Sequence, residues 1–250
     1  MVIVSGGLRA NPVAVIVPAK NEAARLAETV RAACDLPNVA VVIVVDDGSD
    51  DGTGDIAREA GAVVSRHARS LGKAAAMETG ASIASVLDQY DRARPPRHLL
   101  FLDGDLGKTA ANAAPLTTPV LEGAADMVIA TIPPAKSPGG HGFVVRLARR
   151  GILRNTGWTA AQPLSGQRCM TRDCFEKVRP LAPGFGVETG LTIDALTQGL
   201  RVVEVAVELT HNVTGRDWRS VLHRGRQYRD VMRALAARRG KSLHAEPLDT

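Results

Sequence analysis

Aromatic residues are scarce in this chain: four Phe, two Tyr and two Trp make up 3% of 250 residues. Platforms for stacking nucleobases need such rings, so a single-stranded nucleic-acid binder is not expected. Cysteine is rarer still. Cys34, Cys169 and Cys174 form an odd, scattered set without metal-ligand spacing, which argues against a disulfide scaffold or zinc cluster and suits reduced cytoplasmic thiols. Long apolar runs are missing: stretches such as Val39 to Val45 fall far short of the ~18 residues a spanning helix needs. The opening Met1-Val-Ile-Val-Ser-Gly-Gly has no basic region leading into an apolar core, so no secretory signal is expected and the protein reads as cytoplasmic. Two phosphate-binding signatures are also absent. Gly107-Lys108-Thr109 would need a glycine at 102 to be a P-loop, and that residue is Leu; no Gly-x-Gly-x-x-Gly turn follows the first apolar run.

What is present is ordinary globular composition, 45% apolar and 23% charged, in a chain long enough to bury a substantial core. The net charge of +5 is uneven: residues 215–241 hold eight Arg and one Lys against two Asp. A basic tail on a near-neutral body points to an anionic partner nearby.

Short β-branched runs alternate with helical patterns. Val13 to Val17 predicts a buried strand ended by Pro18, and Asn21 to Ala33 a helix with Asn21 as N-cap. Val39 to Val45 predicts a second strand, Asp55 to Ala60 a helix, Ala62 to Val64 a third strand and Lys73 to Leu87 an Ala-rich helix. The apolar run from His98 to Leu102 follows. Such alternation predicts an α/β fold, with a mostly parallel Rossmann-like sheet flanked by helices. Beyond residue 130 the rhythm changes. The stretch 133–140 is rich in Pro and Gly and is expected to be a mobile loop that orders on ligand binding; Phe143 to Leu153 and Glu188 to Gln198 read as helices, 162–168 as turns, and Arg201 to Leu209 as a strand delivering Thr210-His211. No repeat or linker is visible, so a single domain over 1–250 is expected, with a variable second half.

Ligands of such sheets sit at the carboxyl ends of the strands, where three acid-rich turns fall: Asn21-Glu22, Asp46-Asp47 and Asp103-Gly104-Asp105. Two carboxylates two residues apart at a strand end can face one hard cation, and Mg²⁺ or Mn²⁺ suits such oxygen ligands. The plainer alternative is a turn capped by its own acids.

Four landmarks occur in order: Val15-Ile-Val-Pro-Ala-Lys-Asn-Glu22, Val44-Val-Asp-Asp-Gly-Ser-Asp-Asp-Gly-Thr53, Leu71-Gly-Lys-Ala74 and Asp103-Gly-Asp105. With them the chain resembles family 2 glycosyltransferases over residues 12 to 130. The second half, through Gln162-Pro-Leu-Ser-Gly-Gln167, Gly184-Phe-Gly-Val-Glu-Thr-Gly190 and Thr210-His211, resembles the glucosyl-3-phosphoglycerate synthase branch. The resemblance implies the glycosyltransferase A fold and transfer of a sugar from a UDP- or GDP-linked donor. It implies a nucleotide-sugar half at 12–130, an acceptor half at 131–214 and a basic helix at 215–241.

Roles follow position by position. Pro18, Ala19 and Glu22 would line the nucleotide pocket, Asp47 would accept from the base, and Lys73 would lie close to the nucleotide. Asp103, with Gly104 beside it, would bond sugar or ribose hydroxyls. Asp105 would bind Mg²⁺ or Mn²⁺ together with His211. Glu188 is either an acid near the sugar and acceptor or a helix N-terminal acid stabilised by the dipole. The branch leans toward retention at the anomeric centre.

Its members grip phosphoglycerate with a Gly-Arg-Val-Thr stretch, matched here by Gly142-Phe-Val-Val145, and Asn is missing two residues after His211. A polyprenyl phosphate or another partly apolar acceptor is therefore expected, with transfer to a small phosphorylated acid, or a sugar nucleotidyltransferase, as alternatives. A homodimer and a peripheral membrane contact through 216–239 complete the expectations.

Overall fold

The computed structural model describes residues 12–91, 94–132, 142–210 and 218–238. Seven strands form one sheet: β1 (Val13–Ala19), β2 (Val39–Asp46), β3 (Val63–Arg66), β4 (His98–Phe101), β5 (Met127–Thr131), β6 (Arg168–Met170) and β7 (Val202–Ala206). Their order is β3-β2-β1-β4-β6-β5-β7. All pairings are parallel except those of β6, which runs antiparallel to both β4 and β5. The sheet thus draws strands from both halves of the chain, and its turns meet along one edge.

Period-two alternation builds the two faces. Val13, Val15 and Val17 of β1 pack beneath α1 (Ala23–Cys34), against its buried Leu26 and Val30. Ala14 and Ile16 face the other way, onto α3 (Lys73–Tyr90) through Met77 and Ala81. Contact there is close. A Cβ on Gly80 would stand 2.4 Å from the Ile16 side chain, so glycine is what lets α3 lie on β1. Further helices are α2 (Thr53–Glu59), α4 (Thr118–Leu121), α5 (Phe143–Thr156), α6 (Arg172–Val178), α7 (Val187–Thr197) and α8 (Trp218–Ala236), with a 3-10 segment at Gly107–Leu116.

The predicted strands and helices recur with shifted ends, and three local expectations are corrected. β1 runs through Pro18 to Ala19: β4 pairs with β1 only from Val13 to Ile16, so beyond that point only β2 flanks it and the imide costs no bond to β4. Asn21 is not an N-cap. It takes a left-handed φ of 56°, a conformation asparagine tolerates, and α1 begins two residues later. The turn expected at 162–168 ends in β6, whose three residues are too few to display a period.

The carboxyl-terminal helix packs on the domain. Val231, Ala234 and Leu235 of α8 are buried; Leu235 lies against Gly151 of α5, and Ala234 against Gly186. Arg238, just past α8, donates to Asp194 of α7 through Nε at 2.9 Å, with both side chains under 10% exposed. The loop expected at 133–140 and the expected metal ligand His211 lie outside the described residues. Among the described residues, no helix is long and apolar enough to cross a membrane.

Candidate active site

The first two acid-rich turns are stitched to each other. The Asn21 N–H donates to the Ser49 hydroxyl at 3.0 Å, and the Asp50 N–H returns to Asn21 Oδ1 at 3.2 Å. Glu22 N–H donates to the Thr53 hydroxyl and Ala23 N–H to the Asp51 carboxylate, at 2.9 and 3.1 Å. Small hydroxyl and carboxylate side chains thus satisfy the orphan amides that open α1. The Asp47 N–H bonds Ala19 O at 2.8 Å, which commits that carbonyl and leaves the Ala19 side chain in the core.

Asp47 itself has work within the protein. Oδ1 accepts from His67 Nδ1 at 2.7 Å and Leu71 N at 2.8 Å; Oδ2 accepts from the Ser70 hydroxyl at 2.7 Å and Gly72 N at 2.9 Å. Burial alone would raise this carboxyl, but the donors from Leu71, His67, Ser70 and Gly72 together hold it below the usual range. A carboxylate offers about four lone-pair sites, and all four are used here. Asp47 thereby fixes the turn that launches α3 at Lys73.

The acidic turn after β4 is carried by α1. The Thr29 hydroxyl donates to Gly104 O at 2.9 Å and accepts from Gly107 N at 2.8 Å, while Arg25 donates to Asp105 O at 3.1 Å. Glu22 lies against Gly104, where an added Cβ would stand 3.3 Å from the Glu22 Cγ. Burial first, then the charges of Asp105 and Asp103, push the Glu22 carboxyl up to about 7.

Beside this cluster a cation bridges two acids. Lys73 Nζ lies 2.8 Å from Asp103 Oδ1 and 3.0 Å from Glu188 Oε1. Burial works against the ammonium, but Asp103 and Glu188 outweigh it and hold the group charged well above its ordinary range. Glu188 sits in the first turn of α7 and reaches Lys73 from there. Asp103 Oδ2 accepts from Gln167 Nε2 at 2.6 Å, and a Cβ on Gly166 would stand 2.5 Å from Lys73 Nζ.

Gln167 and Arg168 carry more of the site than the sequence signalled. Arg168 is fully buried beneath it, donating to Ser165 O and the Thr192 hydroxyl at 2.9 Å each. Burial lowers its guanidinium to about 10, opposed by the charges of Glu188 and Glu204. It stiffens the segment that presents Gly166 and Gln167. An arginine placed beside the apolar Cys169-Met170 was the available signal.

The structure thus unites Glu22, Asp103, Gly104 and Asp105 in one group, and Lys73, Asp103 and Glu188 in a second that shares Asp103. Pro18 stands half-buried at the end of β1. Among the described residues, no three His, Cys, Asp or Glu side chains close around a metal by themselves. A hard divalent cation still suits the chemistry: these are oxygen donors, and the charges of Asp105 and Asp103 add to burial in raising Glu22. Mg²⁺ commonly takes one or two carboxylates and completes its shell with phosphates and water. Thr210, immediately before His211, is held to the Thr109 hydroxyl by its N–H at 3.2 Å, which ties it near the acidic turn.

The raised Glu22 predicts a pH effect. Folded Glu22 keeps its proton up to about 7, whereas its ordinary value is 4.5. Between those values the folded state binds more protons, so this residue's contribution to stability falls as pH rises through the window. In metal-free buffer, Glu22→Gln should gain stability relative to the parent from pH 4.5 to 7 and level off above. Parallel pH curves in urea denaturation would contradict it.

A parallel sheet with one reversed strand and acids gathered at its carboxyl edge is the glycosyltransferase A fold. The chain belongs to glycosyl transferase family 2, whose pattern matches residues 14–178. It is 30% identical over 197 residues to glycosyltransferase AglJ of Haloferax volcanii, covering 77% of this chain; the chain spans 61% of that relative's length. Solved structures of glucosyl-3-phosphoglycerate synthase from Mycobacterium tuberculosis superpose along 92% of this chain. The complex with Mn²⁺, UDP and phosphoglyceric acid has 25% identity and a TM-score of 0.73 over 79% of that chain. The complex with Mg²⁺ and UDP has 26% identity and a TM-score of 0.71 over 80% of that chain.

Proposed function

We propose that the protein transfers a sugar from a UDP- or GDP-linked donor to an acceptor with an apolar part, such as a polyprenyl phosphate, and that it depends on Mg²⁺ or Mn²⁺. The observation that carries this reading is the acidic turn Asp103-Gly104-Asp105, anchored to α1 through Thr29 and Arg25 and backed by the proton-holding Glu22. Metal and UDP in the complexes of the M. tuberculosis enzyme support it. The family resemblance assigns the cation to Asp105, with His211 as the second protein ligand, while Lys73 and Gln167 hold Asp103 beside it. A cation held there would supply positive charge to the departing diphosphate, where negative charge accumulates. Lys73 adds a fixed positive charge beside it, and the Asp47 clamp keeps the turn before Lys73 in place. Glu188, on the far side of Lys73, faces the sugar and acceptor. The whole chain acts as one unit, donor on the first half and acceptor on the second.

The apolar acceptor rests on Phe143, which opens α5 where the resembling enzymes carry Arg, and which is 63% exposed. Transfer to a small phosphorylated acid is the second reading, favoured by the likeness to the M. tuberculosis enzyme. Product analysis with one donor and both acceptors separates them: lipid-linked product is expected, and efficient glycosylation of phosphoglycerate alone would overturn the apolar acceptor.

A further inference from the structure

Helix α5 has a second character. Its buried stripe, Ala148, Ile152 and Thr156, faces the domain, while Arg146, Arg150 and Arg154 repeat every fourth residue on the side turned to solvent. No acid occurs anywhere on α5. Helix α8 runs alongside and adds the exposed Arg229 and Arg233; its one carboxylate, Asp230, pairs with Arg229 and accepts from Phe185 N. Between the two helices lies a cavity of about 320 Å³, lined by the three arginines of α5 and by Phe143, Tyr228 and Met232 among others. Phe143 stacks on Tyr228 with ring centroids 5.4 Å apart, and both stay exposed, as does Leu153. Those three account for half of the large exposed hydrophobic side chains among the described residues, six in all. Apolar tips set in a field of arginine are the mark of a surface that meets lipid headgroups rather than bulk water.

We propose that this α5–α8 face docks the protein on an anionic phospholipid bilayer, the arginines meeting headgroup phosphates and the Phe143–Tyr228 pair and Leu153 entering the interfacial layer. Charge complementarity selects the occupant. A face with arginines on both helices and no unengaged acid on either repels a second copy of itself, and a neutral partner would leave the arginines desolvated without counter-charge. The docking does not depend on which acceptor the enzyme uses.

Vesicle co-sedimentation tests it, with neither donor nor acceptor present, so the result stands apart from any transferase assay. The intact protein should bind phosphatidylglycerol-containing vesicles, ignore pure phosphatidylcholine, and lose binding as salt rises. Arg150→Gln with Arg154→Gln should weaken the partition by roughly 25-fold, since each basic residue near such a surface contributes about fivefold. Phe143→Ala should lower binding at high salt more than at low. All three positions are exposed, so unchanged thermal melts are expected for the variants. Three results would overturn the proposal: equal binding to neutral vesicles, a double variant that binds like the parent, or a parent dimer that the double variant splits while no vesicle is bound.

Discussion

Asp105→Ala is expected to abolish metal-dependent UDP or GDP binding, with a loss of at least about 100-fold, while the fold persists. The two halves of that expectation come from different atoms. The turn is held through main-chain groups: Arg25 reaches the Asp105 carbonyl, and Thr29 takes the Gly104 carbonyl and the Gly107 amide. Removing the Asp105 carboxylate touches none of those bonds. It also relieves the charge that helps raise Glu22, so metal-free stability should not fall. Calorimetry with nucleotide, with and without Mn²⁺, reads the first half, and a urea titration reads the second. Affinity for nucleotide that keeps its full metal dependence would remove Asp105 from the site.

The largest stability loss is expected at Asp194→Ala. Arg238 would then keep its guanidinium inside the α7–α8 contact, donating to the Ala234 carbonyl 3.2 Å away but without its carboxylate. Breaking a buried pair from one side typically costs about 3–5 kcal/mol. The paired change Asp194→Ala with Arg238→Met should recover most of it, because no buried charge is left. A single variant with the urea midpoint of the parent would show that α8 docks through its apolar stripe alone.

Much of this architecture is legible in the amino-acid order, for definite physical reasons. β1 and β2 are buried on both faces, so they read as unbroken β-branched runs, and the acids stand where those runs stop. The acidic pair after β4 is visible on the same ground. β6 is not, since three residues that pair on both sides need neither length nor alternation. Arg168 is hidden for a related reason: sequence marks arginine as a surface residue, while here carbonyls and a threonine hydroxyl solvate it. Asn21 and Asp47 show a different limit. Both residue types suit a turn or a ligand, and which partner each takes depends on strands brought together from distant parts of the chain. Asp47 spends its lone pairs on residues 67–72. Lys73 was placed near the nucleotide by resemblance alone, and its bridge from Asp103 to Glu188 joins residues 115 positions apart in sequence, a pairing no local pattern records.

The reversed strand also dictates an order of assembly. β5 has no neighbour but β6 and β7, so a nascent chain that has completed Met127–Thr131 holds a strand with nothing to pair with. β4 likewise keeps an open edge until Arg168–Met170 arrives. Through the synthesis of the intervening stretch, the four-strand sheet of β1 to β4 exposes an apolar, unpaired margin of the kind that seeds aggregation. Three residues, the shortest strand in the sheet, therefore set the moment at which the two parts of the sheet can join, and only the later β7 closes the remaining edge of β5.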